Sequence, residues 1–250
     1  MPFAPLTFFS ALLHLYIAWR LIPDLGAPRA AWLLGVSLVV SAALMPLGFL
    51  ARRIRRKAWS DALAWAGLIF MGLFSSLFVL TVLRDAGLLL GALGVAIFGG
   101  TLDEAAQWSA RGVPVLAALV TLRGFINARR RAAIVSVDVP IHGLPPALQG
   151  FTIAQISDIH VGPTIKGPYL QAIVDAVNGM HADMVAVTGD LVDGSVRELS
   201  SHVAPLASLH SRHGTFFVTG NHEYYSGAHA WITELRRMGI RVLMNEHTVL

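Results

Sequence analysis

Two hydrophobic textures divide the chain. Up to about residue 128 the apolar residues come in long, nearly unbroken runs; beyond about residue 150 they come in short runs separated by polar turns. A helix that crosses a bilayer needs about 20 apolar residues. The first part offers runs at 5–22, 30–50, 62–83 and 87–102, and a weaker run at 113–126 that Arg123 interrupts. They predict a membrane domain over residues 1–128 with four or five transmembrane helices. The first run has no basic leader and a second span follows almost at once, so it reads as a retained helix and not as a cleavable signal. Its His14 is expected to be a neutral histidine near a helix interface rather than a proton relay.

Arg52, Arg53, Arg55, Arg56 and Lys57 form the densest basic loop, which the positive-inside rule assigns to the cytoplasm. With five crossings, the count preferred here, the remainder of the chain lies outside the cytoplasm; with four it lies inside.

Residues 129–150 read as a linker and first strand. Ile134 to Val139 alternates apolar and polar residues as a half-buried strand does, and Pro145-Pro146 marks a turn. From residue 151 onward strands and helices alternate. The strands are predicted at 151–156, 184–187, 216–218 and 241–243. The helices are predicted at 169–177, through Val203, Leu206 and Leu209, and at 230–238. Such alternation implies βαβ units and a largely parallel sheet.

The polar residues are placed where this matters. Three successive strands end in Ser157-Asp158-Ile159-His160, Thr188-Gly189-Asp190 and Thr219-Gly220-Asn221-His222-Glu223. Sites in open α/β sheets lie outside the carboxyl ends of the strands. Parallel neighbours would therefore bring Asp158, His160, Asp190, Asn221 and His222 into one cleft, with Ile159 turned to the core. Gly189 and Gly220 permit tight backbone paths beside it. Mixed oxygen and nitrogen donors without sulfur suit Mn, Fe or Zn. Asp193 reads as a turn residue.

Charge sharpens the division. The chain is 55% hydrophobic and 14% charged, with a mean hydropathy of +0.61. Residues 1–150 hold thirteen Lys/Arg against six Asp/Glu, whereas residues 151–250 hold six against nine. Eight of the ten histidines also follow residue 150. The basic excess thus belongs to the membrane half, where it speaks of anionic lipid head groups and not of nucleic acid. The absence of cysteine excludes disulfides, thiolate metal sites and cysteine nucleophiles.

The stretches ISDIHVGPT, TGDLVDGS and VTGNHEYYSGA resemble the calcineurin-like metallophosphoesterase superfamily, in particular its bacterial membrane-associated branch. That branch includes proteins similar to transmembrane metallophosphoesterases and to UDP-2,3-diacylglucosamine pyrophosphatases. The resemblance implies a multi-span α-helical membrane domain followed by an α/β metallophosphoesterase domain, a β-sandwich flanked by helices. Residues 151–250 would form its N-terminal part. It implies two divalent ions, with Asp158 and His160 on the first, Asp190 bridging both and Asn221 on the second. His222 would serve the leaving group as proton donor, with Glu223, Gly189 and Gly220 in support; Glu223 would either orient His222 or cap a helix. It also implies further histidine ligands in a Gly-His-x-His motif. Residues up to Leu250 contain none, and His247 does not fit it, so the sequence is read as a C-terminally truncated fragment expected to bind metal weakly and to hydrolyse phosphoesters poorly, each metal lacking at least one ligand.

The expected function is hydrolysis of a phosphoester or pyrophosphate on a membrane-proximal substrate, lipid among the candidates. The competing class is a membrane-anchored phosphate or lipid binder, or sensory protein, with an incomplete site. A transporter is disfavoured because the spans show no charged pairs or broken helices of a midplane site.

Overall fold

The structure, a computed structural model, describes residues 4–51, 54 and 56–250, with Ala4 and Leu6 described in backbone only. Arg52, Arg53 and Arg55 of the basic loop lie outside the described residues. The chain forms two compact units that divide at Arg130 and Arg131.

The first unit is helical: α1 (Ala4–Leu21), a 3-10 turn (Pro23–Leu25), α2 (Pro28–Leu50), α3 (Lys57–Phe98) and α4 (Asp103–Arg129). Among the described residues α2, α3 and α4 are long and apolar enough to cross a membrane. Their apolar residues point outward as well as inward. Ile17, Leu21, Leu38, Leu77 and Val113 form an interior, while Trp32, Val39, Val79, Leu83 and Leu119 are exposed. A helix that is apolar all round is stable only where its surroundings are apolar too, as in a bilayer.

The third and fourth predicted runs are one 42-residue helix, not two spans. The polar Arg84-Asp85 step between them does not end the helix, because neighbouring helices satisfy both charges. Arg84 Nε donates to Ser109 Oγ (3.0 Å), its Nη1 to the Arg20 carbonyl (3.0 Å), and its Nη2 to the Ala106 carbonyl (3.1 Å) and to Asp24. Asp85 accepts from Tyr16 Oη (2.6 Å) and Arg20 Nε (2.8 Å). Contrary to the sequence reading, then, the helices do carry charged pairs. The weak run at 113–126 is the body of α4. His14 is buried, with Nε2 2.9 Å from Ser41 Oγ and Nδ1 2.6 Å from the Ser10 carbonyl, and its ring stacks on Phe74.

Helices α2 and α3 cross at two glycines. A Cβ on Gly67 would stand 2.7 Å from the Gly48 Cα, and one on Gly48 would stand 2.9 Å from the Gly67 Cα. Small residues allow such backbone approach, and added atoms force the helices apart. Gly67→Leu is expected to destabilise the helical unit by about 1–3 kcal/mol, read as a lower unfolding temperature in detergent. Gly94→Leu, where a Cβ meets nothing within 4 Å, should leave that temperature unchanged.

The second unit holds β1 (Ile153–Ile156), α5 (Gly167–Asn178), β2 (Met184–Val187), α6 (Val196–Val203), a 3-10 turn (Ala204–Ser208), β3 (Thr215–Phe217), α7 (Asn221–Ser226), α8 (Ala228–Arg237) and β4 (Arg241–Val242). The four strands pair in sequential order and every pair is parallel. Among the described residues this is the domain's single sheet, as expected of the N-terminal part of the α/β domain that the resemblance implies. Its core joins Ile156, Val185, Val187 and Phe217 of the strands to Leu170, Val174, Val203, Trp231 and Leu235 of the helices. Trp231 is fully buried and its indole N–H donates to the Gly194 carbonyl (2.9 Å). The predicted strand at 134–139 does not form: the segment has no strand assignment and Ile134, Val135, Val137 and Val139 are exposed. Alternation marks a strand only where a neighbour pairs with it, and no described strand pairs with this segment.

Candidate metal centre

β1, β2 and β3 stop at the same edge of the sheet, but the first two chains continue side by side. Asp158 N donates to the Gly189 carbonyl (3.2 Å), His160 N to that of Asp190 (3.0 Å), Val161 N to that of Leu191 (2.7 Å), and Asp193 N to that of Val161 (2.8 Å). Ile159, Val161, Leu191 and Val192 are buried beneath this zipped pair, as Ile159 was expected to be, whereas Asp158, His160, Asp190 and Asp193 stay partly or wholly exposed. Asp158, His160 and Asp190 all have positive φ (56°, 54° and 50°). Residues other than glycine seldom adopt that conformation; it costs about 1–3 kcal/mol each and gathers at functional sites.

The third turn presses onto the second. A Cβ on Gly220 would fall 2.7 Å from Asp190 N, and one on Gly189 would fall 2.8 Å from the Gly220 Cα. Both glycines are there because two backbones meet. Glu223 locks the contact. Its side chain is completely buried and accepts from the backbone N–H groups of Asp190 (2.9 Å), Leu191 (2.8 Å), Val192 (3.3 Å) and Gly220 (2.7 Å). Of the two roles foreseen for Glu223 it takes the cap, and in addition it anchors the Asp190 turn; its hydrogen bonds reach backbone groups and not the His222 ring.

His160, Asp190 and His222 each offer a ligand atom, and these atoms all lie within 4.8 Å of one another. The two imidazoles meet edge to face with centroids 4.4 Å apart. Asp190 Oδ1 also accepts from His222 N (2.9 Å). Asp158 and Asn221 sit on the adjoining turns but outside this group of three: the Asp158 carboxylate accepts from Ser157 Oγ, and Asn221 is the exposed first residue of α7.

Asp193 is the residue the sequence reading set aside. It stands between the two histidines, with Oδ1 2.5 Å from His222 Nδ1 and 3.3 Å from His160 Nδ1. A carboxylate can only accept, so it holds the proton on Nδ1 of each ring and turns Nε2 outward, as carboxylates behind metal-bound histidines do. This hydrogen bond is also the main reason the His222 pKa lies above the ordinary histidine value, with the charges of Asp193, Asp190 and Glu223 adding to it. The only sign of it in the sequence is the apolar pair Leu191-Val192 that precedes it. Leu191 and Val192 are buried because pairing continues to a bridge between Val161 and Val192, which delivers Asp193 back to the edge of the site.

Strained donors, two oriented imidazoles and a carboxylate with mixed nitrogen and oxygen chemistry fit a divalent transition metal. The family model of the calcineurin-like phosphoesterases matches residues 151–247. The second unit is a calcineurin-like phosphoesterase domain.

The phosphoesterase domain has relatives, some of them named as transmembrane proteins. The chain is 40% identical over 153 residues to a transmembrane protein with metallophosphoesterase domain of Bos taurus, covering 59% of this chain and 34% of that one. It is 37% identical over 124 residues to a metallophosphoesterase of Helicobacter pylori, covering 50% of this chain and 33% of the other. It is 35% identical over 78 residues to the UDP-2,3-diacylglucosamine pyrophosphatase LpxG of Chlamydia muridarum, covering 31% and 24%. The chain thus spans a third or less of the length of these last two relatives and about a third of the first. No solved structure matches it.

Proposed function

We propose that the phosphoesterase domain hydrolyses a phosphoester or pyrophosphate bond of a membrane-proximal substrate, lipid among the candidates, with metals bound at the edge of the sheet. The convergence of His160, Asp190 and His222 within 4.8 Å, backed by Asp193, carries the reading. Asp158, His160, Asp190 and Asn221 would hold two divalent ions of the Mn, Fe or Zn kind. When bound, such ions polarise the phosphoryl oxygens and acidify water. The protein's own groups do the rest. Asp193 fixes the histidines. His222, whose Nδ1 is the more tightly held of the two, presents Nε2 to the leaving-group oxygen and gives it a proton as the P–O bond breaks. Glu223 keeps the Asp190 turn in place. The covalent link to membrane helices and the lipid-pyrophosphatase name of one relative support a lipid substrate.

Purified chain in detergent should hydrolyse p-nitrophenyl phosphate with Mn2+, slowly if ligands beyond residue 250 are needed for full metal affinity, and stop on chelation. Asp190→Asn should abolish turnover, and His222→Ala should lower kcat by about 100-fold, the lower end of the range for a general acid. Phosphate binding without turnover in the unaltered chain would point to a binding protein instead.

We also propose that the domain faces the cytoplasm. With residues 57–98 forming one helix, α3 and α4 make two crossings. The segment after Arg129 then returns to the side of the basic loop before α3, and it brings Arg129, Arg130 and Arg131 with it. This reverses the side given by five crossings. The cysteine-free background permits a direct test: Ser201→Cys should react with an impermeant thiol reagent only after the cells are permeabilised.

A further inference from the structure

Two tyrosines follow His222 on α7, and both are far more exposed than aromatic side chains usually are: Tyr224 by 61% and Tyr225 by 80%. The turn that carries them is rigid. Glu223 buries its carboxylate under one end, and Ser226 Oγ donates to the Val192 carbonyl (3.0 Å) at the other. Tyr224 has a partner, since its hydroxyl accepts from Thr219 Oγ1 (3.4 Å). Tyr225 touches the site itself. Its ring centroid is 5.7 Å from that of His222 with the planes at 73°, and His222 in turn lies against His160. An edge contact occupies one side of the tyrosine ring at most, and the rest is open.

A large aromatic surface fixed in water beside a catalytic histidine forgoes the burial that would stabilise it. The geometry points to a leaving-group subsite: Tyr225 takes a flat, unsaturated ring carried on the ester oxygen that His222 protonates. With the phosphoryl group at the metal ligands and His222 facing the ester oxygen, the substituent on that oxygen emerges on the His222 side, where Tyr225 stands. An aryl or heteroaryl group there stacks or packs edge to face on Tyr225. A short alkyl group leaves the ring in water. This selectivity rests on the phosphoesterase reading of the same site, and it adds to it a preference among substrates.

The test compares unaltered chain, Tyr225→Phe and Tyr225→Ala in the presence of Mn2+. The probes are p-nitrophenyl phosphate against propyl phosphate in turnover, and phenylphosphonate against methylphosphonate in calorimetric binding. Tyr225→Ala should lower the aryl-to-alkyl ratio of kcat/KM, and of phosphonate affinity, by about 3- to 10-fold, the range of a single aromatic pair. The ratio is the readout, because losing the edge contact on His222 acts on both classes alike, and Tyr225→Phe should keep it. A general disturbance of the site would lower both classes alike. An unchanged ratio in Tyr225→Ala, with turnover intact in the parent, overturns the subsite and leaves the phosphoesterase reading standing. A parent chain that neither binds the phosphonates nor cleaves either ester overturns both.

Discussion

Glu223→Ala is expected to destabilise the phosphoesterase domain by at least about 2 kcal/mol, since two buried N–H donors lose their acceptor at about 1–3 kcal/mol each and two part-buried ones lose theirs at a smaller cost. The donors belong to Asp190, Leu191, Val192 and Gly220, which means that one side chain ties the Asp190 turn to the Gly220 turn. Hydrogen exchange is the decisive readout. Protection should fall at those four amides first, while the amides of β1 and β2 keep theirs until global unfolding. Metal affinity should fall with it, because Asp190 loses the support that holds its φ at 50°. Glu223→Gln keeps the shape and one acceptor oxygen, so it should show roughly half the effect. An alanine variant with native protection at Asp190 and Gly220 would mean that other groups hold the turns.

The second large effect belongs to the helical unit. Arg84, with a side chain only 2% exposed, joins Asp24, Asp85, Ser109 and the carbonyls of Arg20 and Ala106. It therefore links α1, the turn after it, α3 and α4. Removing one partner of a fully buried ion pair typically costs about 3–5 kcal/mol, an upper bound here because Asp24 is 37% exposed and Asp85 keeps Arg20 and Tyr16. Arg84→Leu should lower the unfolding temperature in detergent by up to that amount of stability. Arg84→Lys should recover only part of it, since an ammonium group cannot span the same fork of acceptors. Equal stability of the leucine variant and the parent would show that Asp24 and Asp85 are adequately served by Arg20, Tyr16 and solvent.

The two sites also show why some residues could be read in advance and others could not. His160, Asp190 and His222 were legible because each follows a short apolar run, and parallel strands bring their carboxyl ends to one edge. Glu223 was legible as a position but not in its role: a glutamate three residues into a helix reads as a cap, and only burial reveals that it also serves the next turn. Asp193 looked like an ordinary loop carboxylate beside Gly194. Its function depends on pairing between Val161 and Val192, a contact that spans two loops. The alternating run at 134–139 erred in the opposite direction. A strand pattern states a preference, and the partner that would satisfy it is a tertiary fact.

By itself the sequence determined the division into an apolar helical half and an α/β half, the order of the strands and of the helices other than α7 after residue 151, and the residue types of the candidate metal centre. All of these follow from local periodicity and from turns at strand ends, which need no knowledge of distant neighbours. Only the tertiary structure decided that residues 57–98 run on as one helix, because the charges of Arg84 and Asp85 are satisfied by α1 and α4 and need not reach water. Only it placed Asp193 behind both histidines and Glu223 beneath the Asp190 turn. These are contacts between residues far apart in the chain, and their energy comes from burial and pairing that no window of sequence contains.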